Sequence, residues 1–286
     1  MMGKFIEHAL HPLILICVLT GWLFNMDSPL FYPLALLSVH LILGVLEHTH
    51  PARAEWVIHA RPKTFNIVLV VVLVTGAGMV AQLYQFHLVA PLVEIRGSLG
   101  LDIWPHSWPM LGQLFLVFFA GEFIWYWIHR SEHRWYFVWR VSGHGAHHSF
   151  KKLNALNFGL NHPLELFFLA IPAALIEVIF GVGLAAVGAS ILLVTQASIA
   201  HSNLNMSSKW VDWVFTTNRH HVRHHSVVLE ESNTNYGCGT LIWDRVFGTF
   251  IDSSTRECGV GPTEPTLVQK LFMPVREPSD TTVAPS

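Results

Sequence analysis

Two blocks of identical spacing, His144-Gly-Ala-His147-His148 and His221-Val-Arg-His224-His225, constrain this chain more than any other feature. A helix brings residues three and four apart onto one face, so each block projects three imidazoles together. A pair at helical spacing, His129 and His133, precedes the first block. A lone histidine on an apolar face is usually a hydrogen-bonded core residue or an interfacial one. Packing alone does not call for the same triplet twice with an H-x3-H pair upstream. Neutral imidazole ligates Fe, Zn and Cu, and eight such groups are too many for one ion. If the segments meet, two metal ions in a shared site is the economical arrangement.

The surrounding chain is apolar. Of 286 residues, 52% are hydrophobic and 13% charged, where a soluble domain carries about 25% charged residues. This is the composition of an integral membrane protein. The net charge of −2 excludes a strongly basic nucleic-acid binder. Six apolar runs are expected to be helical: 9–24, 30–46, 65–89, 110–128, 164–180 and 184–200. The first has the length of a signal peptide, but Asn25-Met-Asp27 offers no small-residue cleavage site, and it reads as a retained span. The last two runs sit at the lower limit for crossing a hydrocarbon core of about 30 Å. The expected fold is therefore all-α: four transmembrane helices plus a shorter hydrophobic hairpin, with a cytoplasmic helical cap holding a histidine-rich di-metal site.

More polar stretches are expected to connect these runs. Residues 47–63 form a loop or an interfacial helix, whose His48, His50 and His59 lack the repeat spacing and read as surface or outer residues. Residues 91–109 form a loop, and 209–217 form an amphipathic helix, with Trp210, Trp213 and Phe215 lying on the membrane or packing on other helices. Cys17, Cys238 and Cys258 are scattered without a C-x2-C pair, and Cys17 reads as a small buried apolar residue. Three units follow: 1–109 as N-terminal spans, 110–250 as the site-bearing domain, and 251–286 as a C-terminal extension, disordered in its last, Pro-, Ser- and Thr-rich part.

Lysine and arginine set the orientation. With a cytoplasmic N-terminus, the opposite-side loops 25–29, 90–109 and 181–183 contain one basic residue, Arg96. The other basic residues outside the spans fall on the cytoplasmic side, as the positive-inside rule requires. Both termini and all clustered histidines then face the cytoplasm, with His129 emerging next to the interfacial Trp125-Tyr-Trp127 and His201 returning at the end of the last run. Glu122, on roughly the face of His129, is an ionisable residue within a span and so a functional candidate or a histidine partner.

With Asn235-Tyr-Gly237 and Trp243-Asp-Arg-Val-Phe-Gly-Thr249 added, these blocks resemble the fatty acid hydroxylase and sterol desaturase superfamily of integral membrane di-iron enzymes. The resemblance covers about 110–250 and includes the family's blocks in order. It implies two iron ions, for which zinc can substitute in a purified sample, and O2 as co-substrate. The reaction it implies is hydroxylation of a C–H bond in a membrane lipid, a fatty acyl chain or a sterol, or desaturation at the same site. The ligands implied are His129, His133, His144, His147, His148, His221, His224 and His225, with His201 matching an additional one. His162, in a His-Pro pair, and His220, Glu122, Asn235 and Asp244 are additional or outer candidates. No His-Pro-Gly-Gly motif of a fused cytochrome b5 domain occurs, so a separate donor of cytochrome b5, ferredoxin or reductase type is implied. The expected location is a bacterial inner membrane or the endoplasmic reticulum.

An unactivated C–H bond is not attacked by any side-chain acid, base or nucleophile, which is why a metal that activates O2 suits a lipid substrate. The lipid tail would enter sideways from the bilayer, its head group near Arg130, Arg134, Lys151 and Lys152. A histidine-rich metal transporter is a rival of another class, but its ligands should line a path between spans, and nearly all of these lie outside the apolar runs. A structural zinc protein uses the same ligand type.

Overall fold

The computed structural model describes residues 2–58 and 60–284, with the side chains of 60–62 left aside; His59 lies outside the described residues. Five helices are long and apolar enough to cross a bilayer: α1 Met2–Phe24, α2 Phe31–Thr49, α3 Lys63–Ser98, α4 Met110–Arg134 and α8 Leu184–His201. Between α4 and α8 come α5 (Tyr136–Ser142), α6 (His144–His148) and α7 (Glu165–Phe180). After α8 the chain forms only short helices: α9 (Val211–Val214), α10 (Asn218–His224), α11 (Leu229–Ser232), α12 (Ile242–Phe247) and α13 (Leu267–Phe272). Among the described residues there is no strand, only two isolated bridges, Phe215 with Thr240 and Ser226 with Cys258.

The bundle is built around α8. Ile191, Leu192, Ile199 and Ala200 on it are fully buried, and Gly188 leaves room for the side chains of Trp22 and Leu114 to press against its backbone. Without a hydrophobic drive between helices in lipid, such small-residue contacts are what lets them pack closely. By contrast α3 turns Val68, Val71, Val72, Met79 and Phe86 outward, as a lipid-facing helix must. Of the two arms of the expected hairpin, α8 qualifies as a span by itself, while α7 has 16 residues with Pro172 inside it. That gives α7 a length of about 24 Å, short of the hydrocarbon thickness.

Four readings of the sequence are corrected. Residues 91–98 are helical, because α3 continues through a π turn at Gln85–Val89 and runs on as Ala90–Ser98. The wider turn frees the regular backbone bonding just before Pro91, whose ring would otherwise clash with the preceding turn. Arg96 therefore sits on a helix and donates to the carbonyls of Glu177 and Val178 at the C-terminus of α7, a favourable place for a cation. Residues 47–49 still belong to α2, so the connection to α3 is shorter than expected. In 209–217 only Val211–Val214 is helical, since Asp212 caps the turn through Ser207 and Ser208 and Phe215 leaves it extended to bridge Thr240. Finally, Cys17 faces outward from α1 instead of inward.

Residues 251–284 lie against the cap. Val260 and Met273 pack with Trp139 and Ala146, Trp139 Nε1 donates to Glu277 at 2.6 Å, and Arg140 donates to the carbonyl of Pro274.

Candidate metal centre

The histidine blocks converge where α4 and α8 end. His129 and His133 are one turn apart at the end of α4, and Trp135, in extended conformation, stops the helix directly after them. Gly143 adopts a left-handed conformation, φ 74°, that closes α5 and opens α6. A side chain at 143 would also collide with the ring of His162, so the turn that aims His144 accepts only glycine. His221 and His224 are on α10 and His225 caps it. His201 is the last residue of α8.

These nine imidazoles form two groups. The first contains His129, His133, His144, His148 and His224; the second contains His147, His201, His221 and His225; within each, one ligand atom per residue lies within 4.8 Å of all the others. All nine side chains are buried. Each H-x2-H-H block serves both groups. The outer pair 144/148 joins the first group and His147 the second, whereas the outer pair 221/225 joins the second group and His224 the first.

The hydrogen bonds fix which nitrogen is free. Nδ1 of His129 lies 2.6 Å from the carbonyl of Tyr236, and Nδ1 of His224 lies 2.9 Å from that of Thr234. A carbonyl only accepts, so in both rings Nδ1 carries the proton and the neutral ring presents a bare lone pair at Nε2. Yet these Nε2 atoms face each other at 3.0 Å. In the second group Nδ1 of His201 bonds the carbonyl of Ala197, and its Nε2 faces those of His147 at 3.2 Å and His221 at 2.9 Å. Protonating the rings would relieve the repulsion, but burial opposes it: it pushes His224 down to about 4, and burial and like-charged neighbours hold His144 and His148 well below 6.5. A cation between the lone pairs resolves the conflict. Nitrogens about 2.1 Å from one ion and at right angles are about 3.0 Å apart, which is the spacing found. The residues therefore fit two metal ions.

The five outer candidates do not enter these groups, and three of them support the groups through the backbone of one loop. Glu122 is buried and accepts from the N–H groups of Gly239 (2.7 Å) and Thr240 (3.0 Å). Asp244 accepts from the N–H of Tyr236 and of Gly237, both at 2.8 Å, and from the Thr249 hydroxyl. Asn235, at φ 53°, bonds the carbonyls of His220 and Ile251 and accepts from the N–H of Ile251. The three side chains thus hold the 234–240 loop whose carbonyls orient His129 and His224. His220 is tied to Thr217 and Asp252. His162 accepts from the N–H of Leu164 and donates to the carbonyl of Leu271, linking the start of α7 to α13. His48 and His50 are exposed, away from both groups.

Sequence reasoning missed Glu132 and Glu165, which with His144 form a third buried group of potential ligands. Nδ1 of His144 lies 2.7 Å from Glu165 and 3.6 Å from Glu132. Neither carries a signal of its own in the sequence: Glu132 lies beside His133 among polar residues, and Glu165 lies three residues after His162 at the start of an apolar run. Of the expected head-group cations, Arg130 and Arg134 line a surface concavity of about 480 Å3 with Trp127, Ser131 and Trp135, at the level where α4 leaves its apolar stretch.

Comparison with known proteins agrees with this geometry. Residues 114–249 match the model of the fatty acid hydroxylase family. The chain is 33% identical to an ornithine lipid hydroxylase of Rhizobium tropici over 259 residues, 86% of this chain and 75% of that protein. It is 28% identical to the alkylglycerol monooxygenase of Danio rerio over 81% of this chain and 48% of that protein, and 28% identical to that of Xenopus tropicalis over 52% of this chain and 32% of that protein. The chain thus spans about half or less of the length of these monooxygenases. No solved structure matches.

Proposed function

The chain belongs to the fatty acid hydroxylase family, and from that premise we propose that it is an O2-dependent hydroxylase of a polar membrane lipid, with two iron ions held by His129, His133, His144, His148 and His224 and by His147, His201, His221 and His225. The observation that carries this reading is the facing of buried, neutral Nε2 lone pairs at 2.9–3.2 Å in two adjoining groups. The irons supply activation of O2 toward an unactivated C–H bond, chemistry that no side chain offers. The overall change is R–H + O2 + 2 electrons + 2 protons giving R–OH + H2O, the electrons coming from a separate carrier protein.

The chain's own contribution is orientation and exclusion of water. The 234–240 loop fixes two rings through backbone carbonyls, and the burial of all nine imidazoles keeps bulk water from the reacting centre. The lipid approaches from the bilayer with its head group at Arg130 and Arg134 on the cytoplasmic face, while its chain reaches the ends of α4 and α8. An acyl lipid with an amino-acid head group is the substrate class favoured, because the relative of which this chain covers three quarters acts on ornithine lipid. Metal analysis after anaerobic loading tests the centre: iron approaching two per chain is expected, and a chain that takes up no iron would refute the assignment.

A further inference from the structure

Two ions held only by neutral imidazole would bring at least four positive charges into a buried site with no negative ligand. Burial of uncompensated charge is costly, so the position of the nearest anions matters. Among the described residues, His144 is the clustered histidine whose ring faces carboxylates. Glu165 Oε1 lies 2.7 Å and Glu132 Oε2 3.6 Å from its Nδ1, and both carboxyl side chains are at most 1% exposed. Two elements bring them there: Glu132 precedes His133 on α4, and Glu165 opens α7, where the helix N-terminus favours a negative group. The second oxygen of Glu165 has no protein partner. The 2.7 Å distance is that of a direct charge-assisted hydrogen bond and leaves no place for a third ion between the two atoms.

The second group has nothing comparable. His201 is tied only to the carbonyl of Ala197 in its own helix, and Nδ1 of His221 and of His225 is without a protein partner. A carboxylate accepting from Nδ1 raises the basicity of Nε2, fixes the ring and strengthens its hold on a metal.

Building on the di-iron reading above, we propose that Glu165, with Glu132 behind it, is a positioning residue that makes the two metal sites unequal, so that the five-histidine site retains its ion more firmly and donates more electron density to it. The four-histidine site is then the one that exchanges its ion.

The test uses the full chain in lipid nanodiscs, loaded anaerobically with isotopically enriched ferrous iron and challenged with excess chelator, with iron per chain followed in time and Mössbauer spectra recorded before release. Wild-type protein should lose one iron quickly and one slowly. Glu165→Gln, which keeps an acceptor but removes the charge, should speed the slow phase by about tenfold or more, leave the fast phase alone, and shift only one of two ferrous signals. Glu132→Gln should act in the same direction and less. Glu177→Gln serves as the control for general destabilisation, since Glu177 caps the 182–183 turn at the other end of α7, and it should alter neither phase. Unchanged release and spectra in Glu165→Gln, or equal acceleration of both phases, would overturn the proposal. Wild-type protein that binds no iron would overturn the di-iron reading instead.

Discussion

His147 and His224 hold the same position, the middle histidine of an H-x2-H-H block, and each turns to the group that the outer pair of its own block does not enter. The exchange ties α6 to α10 twice, because neither metal group can form from one block. It also gives the two residues different weights. Losing His147 leaves the second group with three imidazoles, while losing His224 leaves the first with four.

Replacing His147 with Ala should therefore reduce iron from two per chain to about one, and replacing His224 with Ala should leave near two at saturating iron but weaken the hold by about tenfold or more. Both variants should still insert into the membrane, since neither residue is in a span. Equal stoichiometry in the two, measured by metal analysis, would contradict the assignment of ligands to groups.

His148 and His225 belong to different groups and stack at 4.3 Å between ring centroids, so they lie at the junction of the two sites. Alanine at either position should lower lipid oxidation by at least about a hundredfold while membrane insertion is kept. Product formation within a few fold of wild type would remove them from the reacting centre.

Asp244 is expected to matter for stability as well as for the site. Truncation to Ala strands the N–H groups of Tyr236 and Gly237 and leaves the Thr249 hydroxyl only its contact with the Tyr126 hydroxyl, a loss of about 3 kcal/mol. It also loosens the Tyr236 carbonyl that sets the proton on His129. A chemical unfolding series should show the loss, and Asp244→Asn should recover part of it.

Acid should open the cap. Burial holds His144, His147, His148, His221, His224 and His225 below their ordinary value of 6.5, with His224 at about 4. The unfolded chain then binds more protons than the folded one below pH 6.5, so stability present above that pH is lost as pH falls toward 4. Asp244, raised by burial to about 6, and Glu165, also raised by burial, work in the opposite direction but are two groups against six. A thermal scan of metal-free protein should show a steep decline between pH 6.5 and 4.5, and a flat profile there would count against this burial.

What the sequence disclosed was set by spacing. The interval of three and four residues places imidazoles on one face whatever the rest of the chain does, and all nine expected histidines entered the two groups. The interleaving of the blocks was hidden, since it depends on how α6 and α10 face each other. Glu132 and Glu165 were hidden for a similar reason: each is a common helix residue in its own segment, and only the approach of α4 to α7 places both behind His144. The continuation of α3 past Pro91 depended on a π turn that has no composition signal of its own.

With the cap cytoplasmic, reporters fused after Arg96 and after Arg140 should sit on opposite sides of the membrane, Arg140 on the cytoplasmic side. Same-side signals would break this topology.

On the proposed reading, oxygen gas is the source of a hydroxyl placed on a membrane lipid. Iron-loaded protein in bilayers containing an ornithine-type acyl lipid, given an electron donor and isotopically heavy oxygen, should yield a lipid product that has gained one heavy oxygen atom, with no product in its absence. Loss of two hydrogens without label would show a desaturase, and an unchanged lipid pool in the loaded, electron-supplied preparation, tested also with sterol and alkyl lipids, would contradict lipid oxidation by this protein.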